Sequence, residues 1–216
     1  HQWSEITKTG NPTRSAVLNK LLRAMKKMEA ARRGKPSMAC RSFIPKEFER
    51  LVSLCETHDN PEVGAWLASY MTFQLHMIAR LDDTAKFRLP DLKSFPKYPD
   101  FGVTARLCWA KNCMEERDAL TQVLFGTRNW QYCVLSHLGM WLELHFELNP
   151  DDNEFIFGAE GKSDPDSIKI SAAYHLRALM KSGDFNLDAA NELDDECKTG
   201  SHSTCKFGVN LGRGDG

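Results

Sequence analysis

"VGAWLASYMTFQLHMIARL" (residues 63–81) decides how the rest of the chain is read. Its apolar side chains fall nearly all round the helical wheel, where a surface helix would show one stripe. Such a pattern predicts a helix wrapped by other elements, the centre of a core. Upstream, "HDNPE" (58–62) is a turn with Pro61 at a helix start. Before it, Phe48, Leu51, Val52 and Leu54 predict a helix from about Pro45 to Thr57. Downstream, "DDT" (82–84) is expected to be a polar corner as the central helix emerges, with Arg80 at the helix end.

Beyond that corner the period changes. "FRLPDLKSFP" (87–96) predicts a short strand and a turn. "FGVTARLCWAKN" (101–112) alternates Val103, Ala105, Leu107 and Trp109, which fits a strand, and "RDALTQVLFG" (117–126) reads as strand or extended chain. "YCVLSHLGMWLELHFEL" (132–148) is an amphipathic helix, "NEFIFG" (153–158) a short buried strand or extended run, and 167–183 a helix closing on Gly183. The final "NLGRGDG" offers no packed element. The expected class is mainly α with a small antiparallel sheet inserted after the central helix, α+β.

The 216 residues are 42% hydrophobic and carry a net charge of −1, so bulk charge announces no polyanion partner. Its distribution does. Between Lys8 and Lys46 the only acid is Glu29, set against Arg14, Lys20, Arg23, Lys26, Lys27, Arg32, Arg33, Lys35 and Arg41. Within this arm, 13–33 predicts a helix with Val17, Leu18, Leu21, Leu22, Met25 and Met28 on one stripe and the cations opposite. Gly34 and Pro36 end it, and 34–45 reads as a linker. A basic arm on a near-neutral body suits an anionic partner, nucleic acid above all, though a solvated charged helix has the same look.

No apolar run reaches the roughly 18 residues of a membrane span, and the start lacks an apolar secretory core. The chain begins at His1 and is expected to be a piece of a longer protein. Seven cysteines (40, 55, 108, 113, 133, 197 and 205) are scattered with no CxxC pair. That usage predicts reduced thiols in a nuclear or cytoplasmic protein.

Three places carry chemistry. Arg80 is ordinarily read as a snorkelling cation at the negative end of a helix. With Asp82 and Asp83 behind it, the guanidinium can also be oriented as a fork for phosphate. Lys111 lies between an alternating strand and a charged turn, where a lysine can act as general acid toward a leaving oxygen. In "TGSHSTCKFG" (199–208), Cys197, His202 and Cys205 have a C-x4-H-x2-C spacing. Zinc would need a fourth ligand, and none is nearby, so a hydrogen-bonded structural histidine is preferred to a metal site. Neither a G-x-S-x-G elbow nor a phosphate-binding G-x-x-x-x-G-K-[ST] loop is present.

Five stretches, in order, resemble the tyrosine recombinases, and more narrowly the integrase-like proteins of Crypton- and DIRS-type mobile elements of algae and other protists. They are "GNPTRSAVLNKLLRAMKKMEAARRGKPS", "FQLHMIARLDDT", "RLCWAKNCMEERDA", "YCVLSHLGMWLELH" and "GSHSTCKF", spanning roughly 10–208. The resemblance implies DNA strand cleavage and rejoining without metal or other cofactor, through a 3′-phosphotyrosine, on a double-stranded DNA partner and as a homo-oligomer there. Arg80 would be the first arginine, Asp82 or Asp83 the acidic residue behind it, Lys111 the hairpin lysine and His202 the head of an H-x-x-R motif. Cys205 stands where that motif's arginine should be.

By the same resemblance, 1–37 would be the end of a DNA-clamping core-binding domain with its linker, and 38–216 an incomplete catalytic domain. The clamp would use Lys20, Arg23, Lys26, Lys27, Arg32, Arg33 and Lys35. The family's nucleophilic tyrosine lies C-terminal of H-x-x-R, and this chain stops before it. Loss of one preorganised cation from such a site typically costs about 3 kcal/mol or more of transition-state stabilisation. The expected protein is therefore recombinase-like but not competent in cleavage as it stands. The alternative is a non-catalytic DNA-binding or interaction protein on the same fold.

Overall fold

The computed structural model describes residues 16–30, 42–107, 120–148, 155–158, 164–182, 185 and 203–213. The chain divides into two compact units, His1–Ala39 and Cys40–Gly216. In the first, helix α1 (Ala16–Ala30) exposes Lys20, Arg23, Lys26 and Lys27. Its apolar stripe is also half in solvent, with Leu21, Leu22, Met25 and Met28 between 45% and 56% exposed. The cations expected at Arg32, Arg33 and Lys35 lie outside the described residues.

The second unit is built round α3 (Pro61–Met77), preceded by α2 (Pro45–Glu56) and followed by α4 (Leu81–Thr84), α5 (Val134–Leu148), α6 (Pro165–Lys181) and α7 (Ser203–Arg213). Between α4 and α5 lie strands β1 (Leu92–Ser94), β2 (Gly102–Leu107) and β3 (Leu120–Phe125). They form one antiparallel sheet in the order β1-β2-β3, with Ala105 opposite both Leu92 and Gln122. The unit is thus mainly helical with a small antiparallel sheet, the class expected from the sequence.

Local rules explain the starts. Asn60 caps α3 by accepting from the N–H groups of Glu62 and Val63, with Pro61 in the first turn. Asp164 and Pro165 do the same for α6. Because α3 is apolar on all sides, it packs against α2, α5, α6 and α7 at once. Trp66, Leu67, Tyr70, Met71, Phe73, Leu75 and Met77 are all buried. The sheet turns Ala105, Leu107 and Leu124 inward. In the segment 155–158, Phe155 bridges to Arg88 and the chain then turns, with the Gly158 N–H donating to the Phe155 carbonyl at 2.9 Å, and every residue is buried. Two indoles pin it: Trp66 donates to the Phe157 carbonyl at 3.0 Å and Trp141 to the Ile156 carbonyl at 2.7 Å. No described helix is long and apolar enough to cross a membrane.

Three expectations are corrected. The central helix stops at Met77, short of residue 81, because Ile78 takes the left-handed conformation (φ 50°, ψ 32°) and turns the chain. The "DDT" corner is a helical turn, α4, with Asp83 and Thr84 buried. Of "NLGRGDG", the described residues 210–213 belong to a packed helix. Residues 203–213 form α7, which rests on α3 and buries Phe207 between Phe48 and Tyr132. Burial of that ring outweighs the low helix propensity of Gly208 and Gly212.

Candidate phosphate-binding site

Arg80 sits in extended backbone (φ −77°, ψ 164°) as the residue that starts α4, so it does not end α3 as the sequence suggested. The Thr84 hydroxyl donates to its carbonyl at 3.0 Å, which fixes the turn. Its side chain is exposed. Among the described residues no carboxylate forms an ion pair with it, so Asp82 and Asp83 do not clamp the guanidinium as expected. Asp83 is buried instead. Burial, then the charge of Asp82, pushes its carboxyl up, against the opposing pull of the Arg80 N–H, the Arg80 guanidinium and Lys86.

The corner is held from four sides, by three side-chain hydrogen bonds to backbone carbonyls and one close helix contact. The Tyr70 hydroxyl donates to the Leu81 carbonyl. Burial, and then Asp82 and Asp83, raise that phenol well above its usual range, so it stays a donor. The Gln122 amide of β3 donates to the Met77 carbonyl at 3.2 Å. From α7, the Cys205 thiol donates to the Ile78 carbonyl at 3.3 Å, across 127 positions of sequence. The fourth contact is the seat of α7 itself. A Cβ at Gly208 would lie 2.7 Å from the Leu75 carbonyl oxygen, so only glycine allows this approach.

Ile78, the one described non-glycine residue with positive φ, is strained at the point where these contacts converge. Left-handed backbone at a β-branched residue costs on the order of 1–3 kcal/mol and persists where surrounding packing dictates it. Gly208→Ala tests that packing. Alanine normally gains about 1 kcal/mol over glycine inside a helix. Here the clash with a backbone oxygen should reverse the sign, to a net loss of about 1–2 kcal/mol in urea unfolding. Cys205 should also react faster with a thiol reagent. A Gly208→Ala variant of unchanged or higher stability would show that α7 is not seated so closely.

Position 205 is therefore beside Arg80. Burial raises the Cys205 thiol, the Arg80 charge pulls it back down and Asp83 pushes it up. The net direction is upward, so at neutral pH the group is a neutral thiol and puts no anion beside the arginine. The adjoining Thr204 hydroxyl and the Gln74 amide of α3 are wholly buried without a hydrogen-bond partner. Nothing in the local sequence marks Tyr70, Gln122 or Gly208 as parts of this corner; a buried tyrosine and a mid-helix glycine are ordinary core residues by pattern.

Lys111, His202 and Cys197 lie outside the described residues. Among the described residues no three His, Cys, Asp or Glu side chains gather in a way that could hold a metal ion. Cys55, Cys133 and Cys205 are free thiols. What the arrangement offers chemically is one exposed guanidinium on a rigid, strained corner, with a neutral sulfur next to it. No protein-family model matches the chain, and no curated protein matches it.

Proposed function

We propose that the chain is a DNA-binding domain on the tyrosine-recombinase plan, with a phosphate pocket around Arg80 that lacks its second guanidinium. The observation that carries this reading is the meeting of two distant motif positions. Cys205 hydrogen-bonds the Ile78 carbonyl two residues before Arg80 and feels the Arg80 charge. In an intact site of this kind two guanidinium groups share the non-bridging oxygens of a phosphorane, Lys111 protonates the leaving oxygen and His202 adds a further donor. With a neutral thiol at 205 the pocket can hold a phosphate but is short of one cation for cleavage. The reading therefore favours duplex binding without strand transfer, and α1 would add phosphate contacts through Lys20, Arg23, Lys26 and Lys27.

Duplex affinity across a salt series tests it. Arg80→Ala should weaken binding by about tenfold to a hundredfold, the scale of one charge-assisted contact. Cys205→Arg should tighten binding and steepen the dependence of log affinity on log salt by about 0.9, one further phosphate neutralised. If both variants bind duplex with the parent's affinity and salt slope, the Arg80 corner is not a phosphate pocket and the reading fails.

A further inference from the structure

The sheet has a second face, turned away from the core. By alternation from the inward Ala105 and Leu124, it carries Lys93, Thr104, Arg106, Thr121, Val123 and Phe125. Phe125 lies close over the neighbouring strand, since a Cβ on Gly102 would come within 2.9 Å of its ring. Glycine there lets the aromatic ring cover the strand and still be 44% exposed. Phe95 braces it edge-on, at 5.7 Å and 88°. Next to Phe95 is Tyr98, 6.2 Å away and 49% exposed. The Lys97 ammonium stands 5.6 Å from the Tyr98 ring centre. Phe101, at the end of the same turn, is 72% exposed.

Aromatic rings braced from the side, rather than buried, keep an open face for a flat partner. The charge around them is mostly positive: Lys93 is on this sheet face and Lys97 is beside the Tyr98 ring, against one acid of the turn, Asp100. A partner with flat faces and regularly spaced negative charge fits both features. In a duplex the base faces are already stacked on one another and only their edges are offered. A single strand offers both base faces and phosphates.

We propose that this outer sheet face binds single-stranded nucleic acid, with Tyr98 and Phe125 stacking on bases and Lys93 and Lys97 facing phosphates. It stands apart from the recombinase reading, which is tested with duplex at Arg80 and position 205.

The experiment is fluorescence anisotropy with a labelled oligothymidylate of about 15 nucleotides, near the upper site size of known stacking folds. An abasic strand of the same length and a hairpin duplex serve as comparators. Tyr98→Leu and Phe125→Leu keep apolar bulk but remove the ring, and thermal melts confirm that each variant is folded. Each should lower affinity for oligothymidylate about five- to a hundredfold. Lys93→Ala with Lys97→Ala should reduce the salt slope by about 1.4, two phosphates of a single strand. The abasic strand should bind more weakly than oligothymidylate. The proposal is overturned if folded leucine variants bind like the parent, if the abasic strand binds equally well, or if the duplex binds more tightly and loses as much affinity in the same variants.

Discussion

Trp141→Ala is expected to remove about 3–5 kcal/mol of stability, the range for truncating a fully buried aromatic side chain to alanine. Trp141 is wholly buried and stacks on His145 at 4.9 Å. Its indole N–H is also the tie to the Ile156 carbonyl. Alanine would therefore open a cavity and leave a buried carbonyl without that donor, two penalties at one site. Trp141→Phe keeps most of the volume and loses the donor, so it should cost less, about 1–3 kcal/mol. Urea unfolding of the two variants separates the contributions. If Trp141→Ala unfolds within about 1 kcal/mol of the parent, segment 155–158 is not part of the core.

Gly64→Ala should be the most damaging of the glycine substitutions, with a loss of at least about 2–3 kcal/mol. A Cβ at this position would lie 2.0 Å from the Cys55 carbonyl oxygen, with the Cys55 carbonyl carbon and the His58 Cβ each at 3.1 Å. Two of these atoms are backbone, so relief requires α2 and α3 to move apart through a packed core. Gly139→Ala is the control. Gly139 is exposed on α5, and nothing lies within 4 Å of the Cβ that would be added. There the ordinary helix preference should operate and stability should rise by about 1 kcal/mol. One chemical change with opposite signs at two helical glycines would establish the α2–α3 contact. A neutral or stabilising Gly64→Ala would refute it.

Much of the architecture was legible because local signals and burial agree. Pro61 announces a helix start and stands in the first turn of α3, whereas α6 starts at Pro165 behind its cap Asp164, two residues ahead of the expected 167. Alternation through 103–107 announced a strand, and a run apolar on all sides announced α3. The misses lie where local preference and tertiary packing disagree. Ile78 is a residue that left-handed backbone disfavours, so nothing nearby predicts that α3 ends there. Residues 208–213 contain Gly208 and Gly212, so propensity argues against a helix that the burial of Phe207 nonetheless stabilises.

The candidate site divides along the same line. The sequence alone determined the class of fold, the central helix, and the positions 80, 111, 202 and 205 as an ordered set worth testing, because each rests on periodicity, spacing or resemblance along the chain. Only the tertiary structure decided that Arg80 starts a helical turn instead of ending α3, that its guanidinium is not clamped by the following acids, and that Cys205 lies beside it. The physical reason is that those facts depend on contacts between residues 11 to 127 positions apart in the chain, made possible by a glycine with no side chain and a strained isoleucine held by its neighbours.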